Sequence, residues 1–204
     1  WFGLVPLMML SFLLMVLLLA LRWQYSERLR RITVQRHKNQ LHRWATQDRL
    51  TRCANRQCFD QRMTFASPSG LPFTLAYLDL NYFKPINDQY GHLAGDAVLV
   101  EVAQRLRRAV RSQDLVARWG GDEFAILVVG LSDKERCATL RQALLDALAP
   151  PLIWQSQSLT LSASIGMASF PAEADSVNEL LQLADRRMYS HKTALRNRDS
   201  EVAL

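Results

Sequence analysis

Three acidic residues stand where predicted strands end, in positions that suit cation binding. Asp79 closes one apolar run, and Asp122 and Glu123 directly follow Gly120-Gly121 between two further apolar runs. If these strands are neighbours, the carboxylates converge at one end of a sheet. Oxygen ligands without His or Cys suit a hard cation such as Mg2+, and a metal held beside phosphates indicates phosphoryl or nucleotidyl transfer. The alternative is unrelated surface acids, but the two glycines disfavour it because bare backbone lets a phosphate approach closely.

A polar segment, residues 83–96, separates the two acidic positions. It is rich in turn-forming residues and lies between a predicted strand and a predicted helix. Asn87 and Asp96 offer donors and acceptors that suit a purine edge, and a carboxylate that accepts from N1–H and the 2-amino group favours guanine over adenine. On composition alone, a capped loop with Asp96 as helix N-cap is the better explanation. Both interpretations stay open at this point.

The predicted elements around these residues alternate between strands and helices. Apolar patterns predict strands over residues 73–80, 115–119, 124–129 and 159–170. The Gly-Gly pair joins the second and third strands as a hairpin whose turn needs positive φ. The order strand, helix, hairpin, helix, strand predicts a ferredoxin-like or palm-type βαββαβ domain, of the α/β (α+β) class, with a mainly antiparallel central sheet.

The helices are predicted from apolar spacing and from capping signals. One helix follows the first strand, and its buried face is predicted to comprise Leu99, Val102, Ala103, Leu106 and Val110. Two Ser-x-x-Glu patterns predict capping boxes that open the remaining helices, over residues 132–149 and 176–192, at Ser132/Glu135 and Ser176/Glu179.

Net charge is concentrated in one short segment. The chain has 204 residues and a formal charge of +6. Residues 22–47 carry seven basic residues and one acidic residue, which accounts for the whole excess, so residues 48–204 are neutral in sum. Following a phosphate backbone requires a basic groove. A nucleic-acid partner and a palm-type nucleic-acid polymerase are therefore disfavoured.

The first 21 residues carry no charge and are mostly Leu, Met, Val and Phe. As a helix they would extend about 31 Å, close to the thickness of the hydrocarbon core, which predicts a transmembrane helix over residues 1–21. A signal peptide is disfavoured because the positive charge follows the apolar run. That charge predicts a cytoplasmic C-terminal side and membrane lipid around residues 1–31. Because the chain begins with Trp1, a missing N-terminal part is expected.

Residues 22–47 contain no Gly or Pro and are predicted to form one continuous helix, a basic linker. The spacing of Tyr25, Leu29, Ile32, Arg36 and Asn39 is compatible with a parallel coiled coil. A solvated linker helix without a partner is about equally consistent with the pattern, because two of these five positions are polar.

Several motifs resemble those of one known family. Gly120-Gly121-Asp122-Glu123-Phe124, preceded by Arg118-Trp119, resembles the signature of the GGDEF family, the bacterial diguanylate cyclases. Residues 79–88, with Gly91-His92 and Gly95-Asp96, resemble its second long motif. Residues 48–56, 164–166 and 184–197 resemble its N-terminal and C-terminal motifs. The resemblance covers residues 48–198 in order and identifies residues 48–204 as a GGDEF domain.

The resemblance implies a role for each matching residue. Mg2+, with Mn2+ as an alternative, would be held by Asp79, the Leu80 carbonyl, Asp122 and Glu123. Asp122 and Glu123 would be the catalytic acids, with Asp122 as proton acceptor. The GTP substrate would be bound by Phe83, Lys84, Asn87, His92, Asp96, Gly120, Gly121, Lys192 and Arg196. Of these, Asn87 and Asp96 would read guanine, and Lys192 and Arg196 would neutralise the β and γ phosphates.

The resemblance also implies the reaction and its setting. Two GTP molecules condense into cyclic di-GMP with release of two pyrophosphates, each 3′-hydroxyl attacking the α-phosphate of the other GTP. Because each domain holds one GTP, two domains must face each other, so a homodimer is expected and the coiled-coil interpretation gains weight. The expected location is the bacterial inner membrane, with the catalytic domain in the cytoplasm.

Arg111 and Asp114 resemble the family's RxxD site, at which the product inhibits the enzyme; a salt bridge at a helix end is the alternative. Three residues depart from the family pattern: Arg52 and Leu195 stand where Gly is usual, and Asn81 where a second Asp is usual. These departures affect linker coupling and phosphate binding rather than the assignment. Two other functions remain: a catalytically silent receptor for cyclic di-GMP, and a membrane signalling scaffold.

Overall fold

The computed structural model of the chain describes residues 4–67 and 71–202. The chain divides into two compact units, Trp1–Trp44 and Ala45–Leu204.

The first unit is formed by a single long helix, α1 (Leu4–Thr46), which also supplies the first residues of the second unit. The continuous helix predicted for residues 22–47 is present and ends at Thr46. Within the described residues, no helix combines the length and apolarity needed to cross a membrane. The transmembrane helix predicted for residues 1–21, the lipid contact around residues 1–31 and the inner-membrane anchoring are therefore not supported. Residues 1–3 of that prediction lie outside the described part of the chain.

The second unit is an α+β domain built on a mixed sheet. Its strands are β1 (Ala54–Asn55), β2 (Phe73–Leu80), β3 (Leu115–Gly120), β4 (Glu123–Val129), β5 (Leu152–Trp154), β6 (Gln157–Leu159) and β7 (Ala163–Phe170). Its helices are α2 (Arg56–Ala66), α3 (Phe83–Tyr90), α4 (His92–Ala109), α5 (Lys134–Leu148) and α6 (Val177–Val202). The main sheet has the order β1-β3-β4-β2-β7, and only the short β1–β3 pair is parallel. The predicted α+β class with a mainly antiparallel sheet is confirmed.

Both faces of this sheet are buried. Side chains alternate along a strand, so that Phe73 and Leu75 of β2 pack with α2 and α6, whereas Ala76 and Leu78 pack on the opposite face with α4 and α5. All four side chains are almost fully buried. This double burial explains why β2 has an almost continuous apolar sequence.

One contact shows how closely α6 approaches the sheet. A Cβ atom on Gly166 of β7 would overlap the Ala184 carbonyl oxygen and the Met188 amide nitrogen. The helix backbone therefore lies directly on the strand, which brings the C-terminal half of α6 to the end of β2 that carries Asp79.

The segment after β2 differs most from the sequence prediction. Residues 83–90 were expected to form a loop but form α3, which begins after Tyr82 (φ +58) and ends at Gly91 (φ +83). Pro85 lies in the first turn, where a missing N–H breaks no helical hydrogen bond. Asp96 is not an N-cap, because α4 begins at His92.

Other element boundaries also differ. The N-cap of α5 is Asp133, whose side chain accepts a hydrogen bond from the Arg136 N–H at 2.9 Å, so the predicted Ser132/Glu135 capping box is wrong. At the start of α6, the Ser176 hydroxyl does accept from the Glu179 N–H, at 3.2 Å. β7 begins at residue 163 because residues 157–159 pair with β5 instead, and α6 extends ten residues past the predicted end at 192, to 202.

Candidate functional site

Two of the predicted acids lie directly opposite each other on neighbouring strands. Asp79 of β2 and Glu123 of β4 are partners in the antiparallel register, at the end of both strands. The Leu80 N–H donates to the Asp122 carbonyl oxygen at 3.2 Å, which continues the pairing by one residue. The sheet register therefore brings Asp79, Asp122 and Glu123 to one end of the sheet.

Lys192 joins this group from α6. Its Nζ lies 2.5 Å from Asp79 Oδ1, and the two side chains are only 22% and 14% exposed. A residue predicted to bind phosphate thus contacts a residue predicted to bind metal. This ion pair connects α6 to the end of β2.

Burial and neighbouring acids raise the pKa of Asp122 and Glu123. Burial raises the pKa of Asp122, and the charge of Asp79 raises it further. Burial likewise raises the pKa of Glu123; a hydrogen bond from Tyr77 opposes this effect, and the charges of Asp79 and Asp122 add to it. Raised pKa values show that the negative charge of these carboxylates is poorly compensated by their surroundings. Binding of a proton or a cation at this group is therefore favourable.

The donor set suits a hard dication, although the carboxylates are not arranged around one. In the described part of the chain, no three His, Cys, Asp or Glu side chains converge closely enough to hold a metal ion. One oxygen of Asp79 is taken by the Lys192 ammonium instead. Because all three acids lie at one sheet end and repel one another, their chemistry fits Mg2+ or Mn2+.

A cleft of about 520 Å³ lies beside these acids. It brings together six of the residues predicted for the site: Leu80, Phe83, Lys84, Asp122, Lys192 and Arg196. Asn81, Tyr82, Pro85, Ser162 and Leu195 also line it. Leu195 replaces the glycine of the family pattern, yet Arg196 still lines the cleft. The volume and the basic residues at one side suit a nucleotide phosphate chain.

Other predicted residues lie outside this cleft. Asn87 lies one turn further along α3 and is half-buried, whereas His92 and Asp96 are exposed in the first turns of α4. Gly120 ends β3, and Gly121 forms the turn into β4 with a φ of +53. The positive φ predicted for this turn is confirmed at Gly121.

The Gly120-Gly121 turn is tied to the start of the domain by Arg118. The Arg118 guanidinium donates to the Gly121 carbonyl oxygen at 2.7 and 3.0 Å and lies 3.3 Å from Asp48 Oδ1. Burial alone would raise the pKa of Asp48, but hydrogen bonds from Thr51 and the charge of Arg118 outweigh it and hold that pKa below its usual value. Arg118 therefore links the Gly120-Gly121 turn to Asp48, which lies two residues after the end of α1.

Asn81 is held by two serines beside the cleft. Its side-chain amide donates to Ser162 Oγ at 3.2 Å, and its Oδ1 accepts from Ser164 Oγ at 2.9 Å. Its backbone N–H donates to the Ser162 carbonyl oxygen at 2.9 Å. An amide supplies both the donor and the acceptor for this arrangement, so the departure from Asp at this position is accommodated by structural contacts.

Tyr77 is a residue near the site that the sequence reasoning did not single out. Its hydroxyl donates to Glu123 Oε2 at 3.2 Å, and its ring meets Trp119 edge-on with centroids 5.7 Å apart. The Arg56 guanidinium lies 4.7 Å from the centre of the Trp119 ring. Tyr77 stands two residues before Asp79 and therefore lies on the same face of β2. This spacing is the one feature of the sequence that could have indicated a role for Tyr77 near the acids.

Arg111 and Asp114 form a compact turn after α4. Asp114 Oδ2 accepts from the Arg111 N–H at 2.9 Å, and the Asp114 N–H donates to the Arg111 carbonyl oxygen at 3.0 Å. The contact is thus made by the Arg111 backbone rather than by a salt bridge. Asp114 Oδ1 is buried and has no hydrogen-bond partner among the described residues, and Arg111 is exposed.

Comparison with known proteins matches most of the chain to one family. The family described as "Diguanylate cyclase, GGDEF domain" matches residues 45–198. MucR of Pseudomonas aeruginosa, a bifunctional diguanylate cyclase/cyclic di-GMP phosphodiesterase, is 37% identical over 79% of this chain and 24% of its own length. Diguanylate cyclase TpbB of the same species is 36% identical over 74% of this chain and 36% of its own length. The chain therefore spans about a quarter to a third of these curated relatives.

Solved structures show the same fold. The GGDEF domain of TpbB from Pseudomonas aeruginosa matches with a TM-score of 0.70 and 35% identity, over 72% of this chain and 89% of that one. The coiled coil and GGDEF domain of DgcB from Caulobacter crescentus, in complex with c-di-GMP, matches with a TM-score of 0.73 and 28% identity, over 85% of this chain and 95% of that one. The second match covers more of this chain than Ala45–Leu204 alone, so the likeness extends into α1.

Proposed function

Because the chain belongs to the GGDEF family of diguanylate cyclase domains, we propose that it condenses two GTP molecules into cyclic di-GMP and releases two pyrophosphates. One observation carries the proposal: Asp79 and Glu123 face each other across β2 and β4, with Asp122 beside them at the edge of a nucleotide-sized cleft. Acids so placed are suited to chemistry on a phosphate in that cleft.

The triphosphate is proposed to bind at the cleft side of α3 and α6. Phe83 and Lys84 are the first residues of α3, where backbone N–H groups lack helical partners and attract anions. Lys192 and Arg196 line the same cleft and are proposed to neutralise the β and γ phosphates. Gly120 and Gly121 have open space where a side chain would stand, which leaves their backbone accessible to a phosphate.

Asp79, the Leu80 carbonyl, Asp122 and Glu123 are proposed to hold Mg2+, with Mn2+ as an alternative. When bound, the ion would neutralise phosphate charge and lower the pKa of the attacking hydroxyl. The mutual repulsion of the three carboxylates supports this assignment, because a dication relieves it more fully than the Lys192 ammonium does.

Asp122 is proposed to accept the proton of the 3′-hydroxyl. Its pKa is raised by burial and by Asp79, and a carboxylate with a raised pKa is a better general base near neutral pH. Asn87 and Asp96 are proposed to read the guanine edge, with His92 nearby.

The active form is proposed to be a homodimer. Each domain carries one set of phosphate-binding residues, so the two GTP molecules are supplied by two facing domains. The likeness to DgcB, which is described as having a coiled coil, extends into α1 and supports a dimerising role for that helix. The domain is proposed to work in the cytoplasm, where GTP is available.

Product inhibition is proposed at Arg111 and Asp114. The exposed Arg111 side chain offers a cation that can stack on or pair with a guanine, and Asp114 holds the turn by accepting from the Arg111 N–H. Two DgcB structures are described as complexes with c-di-GMP, which supports a binding role for domains of this kind.

The test is to incubate the full chain with GTP and Mg2+ and to measure cyclic di-GMP and pyrophosphate. We expect product from the natural chain and at least a hundredfold less from Asp122→Asn, in line with the loss of a general base. Absence of cyclic di-GMP synthesis at all protein concentrations would overturn the cyclase proposal. Binding of cyclic di-GMP without synthesis would establish a silent receptor instead, and binding of neither nucleotide would favour a scaffold.

A further inference from the structure

We infer that Gly95 is a positioning residue for base selection, because the space left by its missing side chain holds the side-chain amide of Asn87. The inference rests on the proposed function and concerns the same site. In this inference, Gly95 determines the position of the Asn87 amide, which is proposed to read guanine.

A tight connection brings Asn87 and Gly95 together. At the end of α3, the Gly91 N–H donates to the Asn87 carbonyl oxygen at 2.9 Å. In the first turn of α4, the Gly95 N–H donates to the Gly91 carbonyl oxygen at 3.3 Å. Gly91 has a φ of +83, a conformation that glycine adopts readily. The two helices therefore fold back on each other at a single residue.

The contact at Gly95 leaves no room for even one methyl group. A Cβ on this buried residue would overlap Asn87 Oδ1, and it would lie 2.9 Å from Asn87 Cγ and 3.2 Å from Phe83 Cζ. Because the three nearest atoms all belong to side chains and none to the α3 backbone, an alanine would make the Asn87 amide rotate away while α3 stays on α4.

Packing holds the Asn87 amide more than hydrogen bonding does. The Asn87 side chain makes no hydrogen bond within the described part of the chain, although the residue is half-buried. With Oδ1 packed against Gly95, the Nδ2 donor remains available to a ligand. Asp96 follows Gly95 directly in the chain. The contact of Asn87 with Gly95 therefore determines the distance between the Asn87 and Asp96 side chains, the two that are proposed to read the base.

The contact at Gly95 involves side chains of α3 and not the backbone groups that are proposed to bind phosphate. Phe83 and Asn87 are four residues apart on one face of α3, and both touch the space above Gly95. A displaced Asn87 alters contacts with the base, whereas Lys192 and Arg196 reach the cleft from α6 and remain in place. The predicted effect of a side chain at residue 95 is thus confined to the base.

The experiment measures binding of two unreactive nucleotides to the full chain by calorimetry in the presence of Mg2+. 3′-Deoxy-GTP lacks the attacking hydroxyl, and 3′-deoxy-ATP has the same phosphates with a different base. Gly95→Ala is expected to weaken 3′-deoxy-GTP binding about tenfold, the effect of one lost hydrogen bond, and to leave 3′-deoxy-ATP binding unchanged.

A double-mutant cycle separates positioning from packing. If Gly95 acts through Asn87, then Gly95→Ala/Asn87→Ala binds 3′-deoxy-GTP no more weakly than Asn87→Ala alone. The double variant should also unfold at a temperature no lower than Gly95→Ala, because removal of the amide leaves only the 3.2 Å contact with Phe83. If Gly95→Ala fails to fold, recovery of folding in the double variant gives the same support.

Any of the following results would overturn the inference: unchanged 3′-deoxy-GTP binding by Gly95→Ala, equal loss of binding of both nucleotides, additive losses in the double variant, or failure of both Gly95 variants to fold. A natural chain without preference for 3′-deoxy-GTP would overturn it too. Failure of the cyclase proposal can be told apart from failure of this inference. If only the cyclase proposal fails, the chain still binds 3′-deoxy-GTP selectively and in a Gly95-dependent way, but it makes no cyclic di-GMP from GTP.

Discussion

The ammonium nitrogen of Lys192 lies 2.5 Å from Asp79 Oδ1, which joins the last helix of the domain to the strand end that carries the acids. In the absence of a bound cation, the lysine offsets part of the charge of the three carboxylates. When GTP and metal bind, the same lysine is proposed to turn to the phosphates. The pair is thus proposed to connect substrate binding to the metal site.

Lys192→Met removes this charge and keeps most of the side-chain volume. We expect the free energy of unfolding to fall by about 2 kcal/mol, since Asp79 loses a charged hydrogen bond. We also expect added Mg2+ to raise the unfolding temperature more in this variant than in the natural chain, because the dication replaces the missing ammonium. Thermal unfolding with and without Mg2+ measures both effects.

Lys84→Met is the matched control, because Lys84 lines the same cleft without pairing with Asp79. It should leave the Mg2+ dependence of unfolding as in the natural chain. An equal response of the two variants to Mg2+ would contradict the role assigned to Lys192.

Tyr77→Phe removes only the hydroxyl that donates to Glu123 Oε2. The ring remains against Trp119, so we expect the free energy of unfolding to change by less than about 1 kcal/mol. The Mg2+ concentration that gives half-maximal activity should rise about threefold to tenfold, because Glu123 loses the contact that orients it. Steady-state turnover across a Mg2+ titration provides the measurement.

Tyr90→Phe serves as the comparison, because Tyr90 packs against the core away from Glu123. Its Mg2+ dependence should match the natural chain. A shift of equal size in both variants would show that the Tyr77 hydroxyl has no special relation to Glu123.

Arg52→Gly should stabilise the domain. Arg52 stands where the family pattern has Gly, and its φ of +61 lies in the left-handed region that disfavours side chains. The bond from the Arg107 side chain uses the backbone carbonyl of residue 52 and survives the change. The expected gain in the free energy of unfolding is about 1 kcal/mol, measured by chemical denaturation.

Gln113→Gly is the control for that gain, since this exposed loop residue has no positive φ. It should leave the free energy of unfolding unchanged or lower it, because glycine increases the entropy of the unfolded chain. A similar gain at both positions would remove the conformational explanation.

Glu173 gives a pH-dependent contribution to stability. The hydrogen bonds from Arg187 hold the pKa of Glu173 below its usual value despite partial burial, and the Ser169 N–H adds to this effect. A depressed pKa means that the stabilisation is present above the ordinary pKa of 4.5 and disappears as pH falls through the lower folded value.

Glu173→Gln should therefore lower the free energy of unfolding by about 1 kcal/mol at pH 7, a small figure because Arg187 is partly exposed. The difference from the natural chain should shrink steadily below pH 4.5. Denaturation curves from pH 3 to pH 7 test this trend, with the exposed Glu135→Gln as control. A difference that stays constant with pH would contradict the ion-pair explanation.

The secondary structure of the core was largely predictable, because it depends on local periodicity. The strands at 73–80 and 124–129 and the Gly121 turn were located closely, since each has a strong apolar or glycine signal. The short helix α3 was missed because its many turn-forming residues have weak helix propensity. It is stabilised by packing of Asn87 and Phe83 on Gly95, which local propensity does not describe.

The sequence by itself determined the family and the acids at the ends of the strands. Motifs that are short and continuous, such as Gly120 to Phe124, carry that information in the order of residues. Only the tertiary structure decided which of these residues meet, because the contacts join distant parts of the chain. Lys192 reaches Asp79 across 113 positions through the close approach of α6 to Gly166, and Tyr77 reaches Glu123 across 46 through the sheet register. Such contacts depend on how helices and strands dock, which no local pattern specifies.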